Sequence, residues 1–128
     1  DRYYKQCVIG GHSLGGSMAA YYCKKHASQI NALFLLGSYS SSDLSQSGLP
    51  VISLRGDQDG LTSQSEIDQH KSNLPSSARF VTIIGGNHAQ FGSYGSQRGD
   101  HNAQLAAAEQ WQQTAEELAG WLKDITSG

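Results

Sequence analysis

Long apolar runs are missing from this chain. Nothing in its 128 residues approaches the roughly 18 consecutive apolar residues of a membrane-crossing helix, and no charged-then-apolar leader opens it. The stretch therefore reads as soluble, with no membrane contact of its own. Charge of one sign is scarce as well: nine Lys and Arg stand against eleven Asp and Glu, a formal charge of -2, and neither sign gathers into a block. No nucleic-acid partner and no charged tail are expected from that balance. Two cysteines are too few for a disulfide scaffold, so Cys7 in a strand and Cys23 in a helix read as packing residues, and the redox compartment stays open. Methionine occurs once, as Met18, and the first residue is Asp1. The sequence thus reads as processed, excised or a fragment, and the compartment, cytoplasmic or extracytoplasmic, is undetermined.

Some site chemistries are missing too. The glycine-rich stretch near the start lacks the Gly-Lys-Ser/Thr ending of a phosphate-binding loop and the G-x-G-x-x-G dinucleotide fingerprint. "DQDG" at residues 57–60 opens like a calcium loop, but Leu61 falls where an oxygen ligand is needed and no glutamate stands at the twelfth position. His101 beside Asp100 has no metal-ligand spacing. No cofactor and no metal are expected.

What is present is an alternation of strand-like and helix-like segments. Four short β-type runs, residues 6–10, 32–36 ("ALFLL"), 51–55 ("VISLR") and 79–84 ("RFVTII"), are too continuously apolar for one-sided strands. They suit strands covered on both faces. Three helical patterns fall between or after them. Residues 14–26 carry Leu14, Met18, Tyr22 and Cys23 as an expected inward stripe. Residues 63–74 open with the Ser63/Glu66 spacing of a capping box and end before Pro75. Residues 102–125 carry Trp111, Ala115, Leu118, Leu122 and Ile125, expected to cover the sheet. The fold class expected is α/β, a single domain over residues 1–128 with a mostly parallel sheet of about four strands and flanking helices. At 13.7 kDa it is short for an α/β enzyme, which commonly needs roughly 200 to 250 residues. The connection 38–50 is polar and turn-rich, without a folded cap. The loop 85–100, "GGNHAQFGSYGSQRGD", is long enough to suggest a functional role.

Three motifs carry chemistry. "GGHSLGG" places Ser13 between Gly11 and Gly15, after a strand and before a helix, where a sharp bend would push the hydroxyl out of the sheet edge. A serine hydroxyl is a weak nucleophile near neutral pH, so it needs a base within reach and a carboxylate to orient that base. Asp57 and Asp59 follow the third strand in "RGDQDGLT", and His88 follows the fourth in "GGNHAQFG". Parallel strands bring all three ends to one edge of the sheet. The order Ser, Asp, His differs from the chymotrypsin and subtilisin orders.

These three motifs, in this order and each after a strand, resemble the second half of an α/β-hydrolase, and are most similar to small bacterial dienelactone-hydrolase-like proteins. The resemblance implies a partial α/β-hydrolase fold and a serine esterase acting on small ester or thioester substrates. It implies Ser13 as nucleophile, Asp59 as acid through the G-x-x-D spacing from Gly56, and His88 as base; Asp57 then fits a turn-forming role. The amide of Leu14 would be one oxyanion-hole donor. The other would lie in an absent first half. His12 would line the pocket or support the site from behind, and Phe91, Gly92 and Tyr94 would shape its mouth. The first strand would be left as an open edge, fit to pair with an N-terminal segment or with a second copy.

Overall fold

The computed structural model describes residues 7–93 and 95–127. Its elements run in the order β1 (Val8–His12), α1 (Leu14–Lys25), β2 (Ala32–Leu36), β3 (Val51–Gly56), α2 (Gln64–His70), β4 (Arg79–Ile83) and α3 (Ala107–Thr126). The strands form one sheet in the order β1-β2-β3-β4. All three pairings are parallel, with Gly10 opposite Phe34, Phe34 opposite Ile52 and Ile52 opposite Arg79. Sequential parallel order places every strand's carboxyl end on the same edge, which is where the three motifs sit.

Two cores cover the two faces, as the continuous apolar runs require. In β2, Leu33 and Leu35 join Ala20, Cys23, Leu44, Leu49 and Val51 on the α1 side. Ala32, with Phe34 and Leu36, joins Ile52, Leu54, Ile83 and Trp121 on the α3 side. Burying one such Leu or Ile contributes about 1.5–3 kcal/mol, so β2 and β3, buried on both faces, anchor the sheet. Burial also pushes the Cys23 thiol up to about 11, with a smaller push from Cys7; both cysteines are free thiols.

The helix faces differ from the sequence expectation. In α1 the inward residues are Gly16, Ala20 and Cys23, while Leu14, Met18 and Tyr22 are exposed at 71%, 63% and 45%. The reason is distance: a Cβ on Gly16 would lie 2.5 Å from Ser38 Oγ, so only small side chains let this helix lie so close to the connection after β2. In α3 the inward residues are Gln110, Thr114 and Trp121, flanked by Leu118, Leu122 and Ile125. Trp111 stays at the surface and donates its Nε1 proton to the Gln90 carbonyl at 2.6 Å, and Ala115 is exposed. The helix begins at Ala107 instead of 102, because the amides of Gln104 and Leu105 are taken by the Gly85 carbonyl at 2.7 and 3.0 Å. That tie holds the preceding segment against the loop after β4. The capping box of α2 forms as its spacing requires, Ser63 Oγ accepting from the Glu66 amide and the Glu66 side chain from the Ser63 amide.

Candidate active site

β1 ends at His12, and the chain turns into α1 through Ser13 alone. Ser13 has φ 58 and ψ -126 and is the only non-glycine residue with positive φ among the described residues. Such a conformation costs on the order of 1–3 kcal/mol and survives because the backbone of Ser13 is pinned on both sides. Its amide donates to the Leu36 carbonyl at 3.1 Å, and its carbonyl accepts from the amides of Gly16 and Ser17 at 3.0 and 3.3 Å and from Ser38 Oγ at 2.6 Å. The side chain takes no part in this: Ser13 occupies the N-cap position of α1, yet its hydroxyl caps no amide. Strain in the backbone together with an uncommitted hydroxyl is the opposite of what a capping serine does.

Of the two carboxylates, Asp59 is the one in contact with His88. Asp59 Oδ2 lies 2.9 Å from His88 Nδ1, with both side chains buried. Its other oxygen, Oδ1, accepts from the amides of Leu61 and Thr62 at 2.8 and 2.6 Å, a local turn that leaves Oδ2 to the imidazole. Asp57 points elsewhere, accepting from the Gly85 amide at 2.7 Å, and so fastens the turn after β3 to the loop after β4. Gly37, at the end of β2 with φ +57, lies directly under the pair: a Cβ there would come within 3.0 Å of His88 Nδ1 and 3.1 Å of Asp59 Oδ2. The Thr62 hydroxyl donates to the Gly37 carbonyl at 3.0 Å and closes that floor.

His88 Nε2 is buried and has no hydrogen-bond partner. With Nδ1 carrying its proton toward Asp59, Nε2 is the basic nitrogen. No hydrogen bond joins it to Ser13 Oγ in this structure, and such contacts commonly tighten only when substrate binds. The structure thus brings Asp59 and His88 together and leaves Ser13 on the same sheet edge without a hydrogen bond to either.

His12 stands beside the base. Its Nε2 lies 2.8 Å from the His88 carbonyl oxygen, its ring centroid lies 4.5 Å from that of His88, and Phe91 packs at 6.0 Å on the His12 ring. Burial, followed by the neighbouring His88 ring, holds the His12 pKa below its ordinary 6.5, against the opposing pull of the His88 carbonyl, Asp59 and Asp100. A histidine whose folded pKa is depressed takes up protons more readily when unfolded. Its contribution to stability is therefore intact above pH 6.5 and is lost as pH falls below that value toward the folded pKa. A series of thermal melts across this window should show a falling midpoint toward acid, with a shallower fall in His12→Gln.

The other expected lining residues are distributed differently. Ser13 and Leu14 line a cleft of about 250 Å³ whose walls include Ser17, Tyr39, Leu61 and Thr62. Gly92 lines a separate cleft of about 550 Å³ between the loop after β4 and Trp111. Phe91 faces His12, and Tyr94 lies outside the described residues. Among the described residues no group of three or more His, Cys, Asp or Glu could hold a metal ion.

Residues of the loop's support escaped the sequence reading. Gln110, fully buried on α3, donates its Nε2 proton to the Asn87 carbonyl at 2.8 Å and accepts from the Asn87 amide at 3.1 Å, next to His88. Asn87 in turn donates to the His101 carbonyl at 2.9 Å. A glutamine in a mostly polar helix sequence carries no visible sign of this role; Asn87 lies 23 residues away.

Comparisons with known proteins agree with this geometry at the level of fold and family. The chain matches the family model described as "Alpha/beta hydrolase family" over residues 2–112. No curated protein matches it in sequence. Among solved structures it is similar to MGS-MChE2, an α/β hydrolase enzyme from the metagenome of sediments of the Mar Chica lagoon, Morocco (TM-score 0.69, 18% identity, 96% of this chain and 64% of that one). It is also similar to a thermophilic esterase from Thermogutta terrifontis (TM-score 0.67, 14% identity, 94% and 65%) and to a predicted CIB-like hydrolase from Thermoplasma acidophilum (TM-score 0.63, 14% identity, 88% and 50%). The chain therefore spans between half and two thirds of the length of these structures. A four-stranded parallel sheet with a strained serine after its first strand, and a family match over most of the chain, place this protein in the α/β-hydrolase family.

Proposed function

We propose that this chain supplies the nucleophile, acid and base of a hydrolase of carboxylic esters or thioesters. The observation that carries the reading is Ser13, held at φ 58 on the strand-to-helix bend, on the same sheet edge as the buried Asp59–His88 pair at 2.9 Å. In this reading Oγ attacks the acyl carbonyl as its proton passes to His88 Nε2, and Asp59 stays ionised and holds the imidazole in the required tautomer. The tetrahedral oxyanion is met by the Leu14 amide at the start of α1, and a second donor comes from outside these residues. His88 returns the proton to the departing alkoxide or thiolate as the acyl bond breaks. Water then adds to the acyl-enzyme, giving its proton to His88, and the acid leaves as Ser13 is regenerated. The open cleft suits small or medium acyl groups, in keeping with the dienelactone-hydrolase-like resemblance.

Fluorophosphonate labelling with mass-spectrometric location of the adduct tests this. An adduct on Ser13, absent from Ser13→Ala, is the expected result. A folded protein that takes no label would overturn the reading for this chain on its own.

A second reading is favoured by one observation: among the described residues β1 pairs on one side only, and beside it α1 exposes Leu14, Met18, Tyr21 and Tyr22. An unpaired strand edge next to an apolar helix face is a docking surface. In this reading the chain is a non-catalytic half-domain that folds by pairing with an N-terminal half or as a homodimer. A concentration-dependent mass in solution would point to the homodimer through that edge.

A further inference from the structure

The turn carrying Asp59 and the loop carrying His88 come from different strands, 29 residues apart, and both are exposed to whatever freedom surface loops have. Their relative placement decides whether Nδ1 meets Oδ2. Asp100 lies between them. Its Oδ1 accepts from the Gly60 amide at 3.0 Å, from the His88 amide at 3.3 Å and from the His101 amide at 3.0 Å. Its Oδ2 accepts from the Ala89 amide at 2.8 Å. One carboxylate thus touches the residue that follows Asp59, His88 itself and the residue that follows His88. The backbone around it is seated just as closely: a Cβ on Gly60 would lie 2.5 Å from the Gly99 carbonyl and 3.0 Å from Asp100 Cα.

We propose that Asp100 is a positioning residue for the acid–base pair, a carboxylate clasp that fixes the turn of Asp59 against the loop of His88. The chemistry of the side chain supports this over a general turn-forming role. Two oxygens with about four acceptor sites are required to receive four amides at once, and no neutral side chain of this length offers them. Charge-assisted bonds of this kind are roughly twice as strong as neutral ones. None of residues 99–101 lines the cleft around Ser13.

The inference rests on the reading of Asp59 and His88 as acid and base, and its test is chosen to report on that pair directly. Two readouts are taken on Asp100→Ala, Asp100→Asn and a control, Asp124→Asn, which removes an equal charge from an exposed ion pair with Arg79. The first is the rate of fluorophosphonate labelling of Ser13. The second is the proton resonance of His88 Nδ1–H, shifted downfield by its bond to Asp59 and observable without any turnover. Misplacing a reacting group by about 1 Å costs on the order of 10²-fold. The alanine variant should therefore label about 100-fold more slowly and lose the resonance. Asparagine keeps one acceptor oxygen and so should fall between alanine and wild type on both readouts, while the control matches wild type.

Folded Asp100 variants that label within about 3-fold of wild type and keep the resonance would overturn the proposal. So would a slow variant with the resonance unchanged, since the effect would then bypass the pair. If the alanine variant fails to fold, the asparagine variant decides by the same two criteria. A wild-type protein that takes no label but shows the resonance would count against the hydrolase reading alone, and the resonance would still decide the clasp.

Discussion

Replacing Ser13 by alanine should reduce ester turnover by about 10⁶-fold, and His88→Ala should do the same, because members of such a unit fail together and their effects do not add. Asp59→Asn should cost less, about 10⁴-fold. The difference follows from what each group does in the site. In the proposed mechanism Oγ is the atom that attacks, and Nε2 of His88, buried without a hydrogen-bond partner, is the nitrogen that takes its proton. Asp59 acts one step removed: an asparagine would keep its single oxygen on the Leu61 and Thr62 amides and present its NH₂ group to Nδ1, which favours the wrong tautomer. Asp57→Asn, which disturbs the bond to the Gly85 amide and a longer one from the Gln58 side chain, should leave turnover within a few-fold of wild type. Single-turnover kinetics on a chromogenic ester separate these outcomes, and equal losses for Asp57→Asn and Asp59→Asn would contradict the assignment of the acid.

The second large effect is expected at a glycine, and it separates the two glycines that flank the serine. A Cβ on Gly11 would lie 2.4 Å from the Gly15 carbonyl carbon and 2.7 Å from the Gly16 amide nitrogen. Backbone cannot swing away as a long side chain can, so Gly11→Ala must move the start of α1 off the sheet. A destabilisation of about 3 kcal/mol or more is expected. The other flanking glycine is unlike it: a Cβ on Gly15 meets nothing within 4 Å. Gly15→Ala should be neutral or stabilise by about 0.5–1 kcal/mol, the usual helix preference for alanine over glycine. Urea unfolding of the two variants tests the pair, and similar losses in both would mean that the bend is crowded in a way these contacts do not describe.

The strand-serine-helix bend could be read from the sequence because its signals are local: an apolar run, a serine among glycines, and a helical pattern directly after. The sheet could be read for the same reason, since runs such as 32–36 state their two-sided burial in their own composition. The helix faces could be read only in part: Cys23, Leu118, Leu122 and Ile125 pack on the cores as expected, and the other positions do not. In α1 the largest apolar residues look like the inward face on periodicity, but the helix lies so near Ser38 that Gly16, Ala20 and Cys23 face in and Leu14, Met18 and Tyr22 face out. In α3 two inward positions are polar, Gln110 and Thr114, because the surface they meet is the backbone of Asn87 and the helix's own Gln110 carbonyl, to which the Thr114 hydroxyl donates at 2.7 Å. A pattern of apolar residues cannot announce a buried glutamine whose partner is a loop carbonyl. Asp100 is illegible for a related reason: its partners are backbone amides, which no side-chain motif records.

The bond from the Ser13 amide to the Leu36 carbonyl continues the pairing of His12 with Leu36 by one more rung. Ser13 is therefore indexed to the sheet as a tooth is indexed on a rack. A shift of β1 along β2 by a single residue would move the hydroxyl about 3.3 Å and turn every side chain of the strand to the opposite face. A shift by two would restore the faces but leave the serine about 6.6 Å from its station. Placement of the reacting oxygen is thus quantised: the chain either closes in the one alignment that sets Gly10 against Phe34 and His12 against Leu36, or it carries an intact sequence motif aimed at nothing.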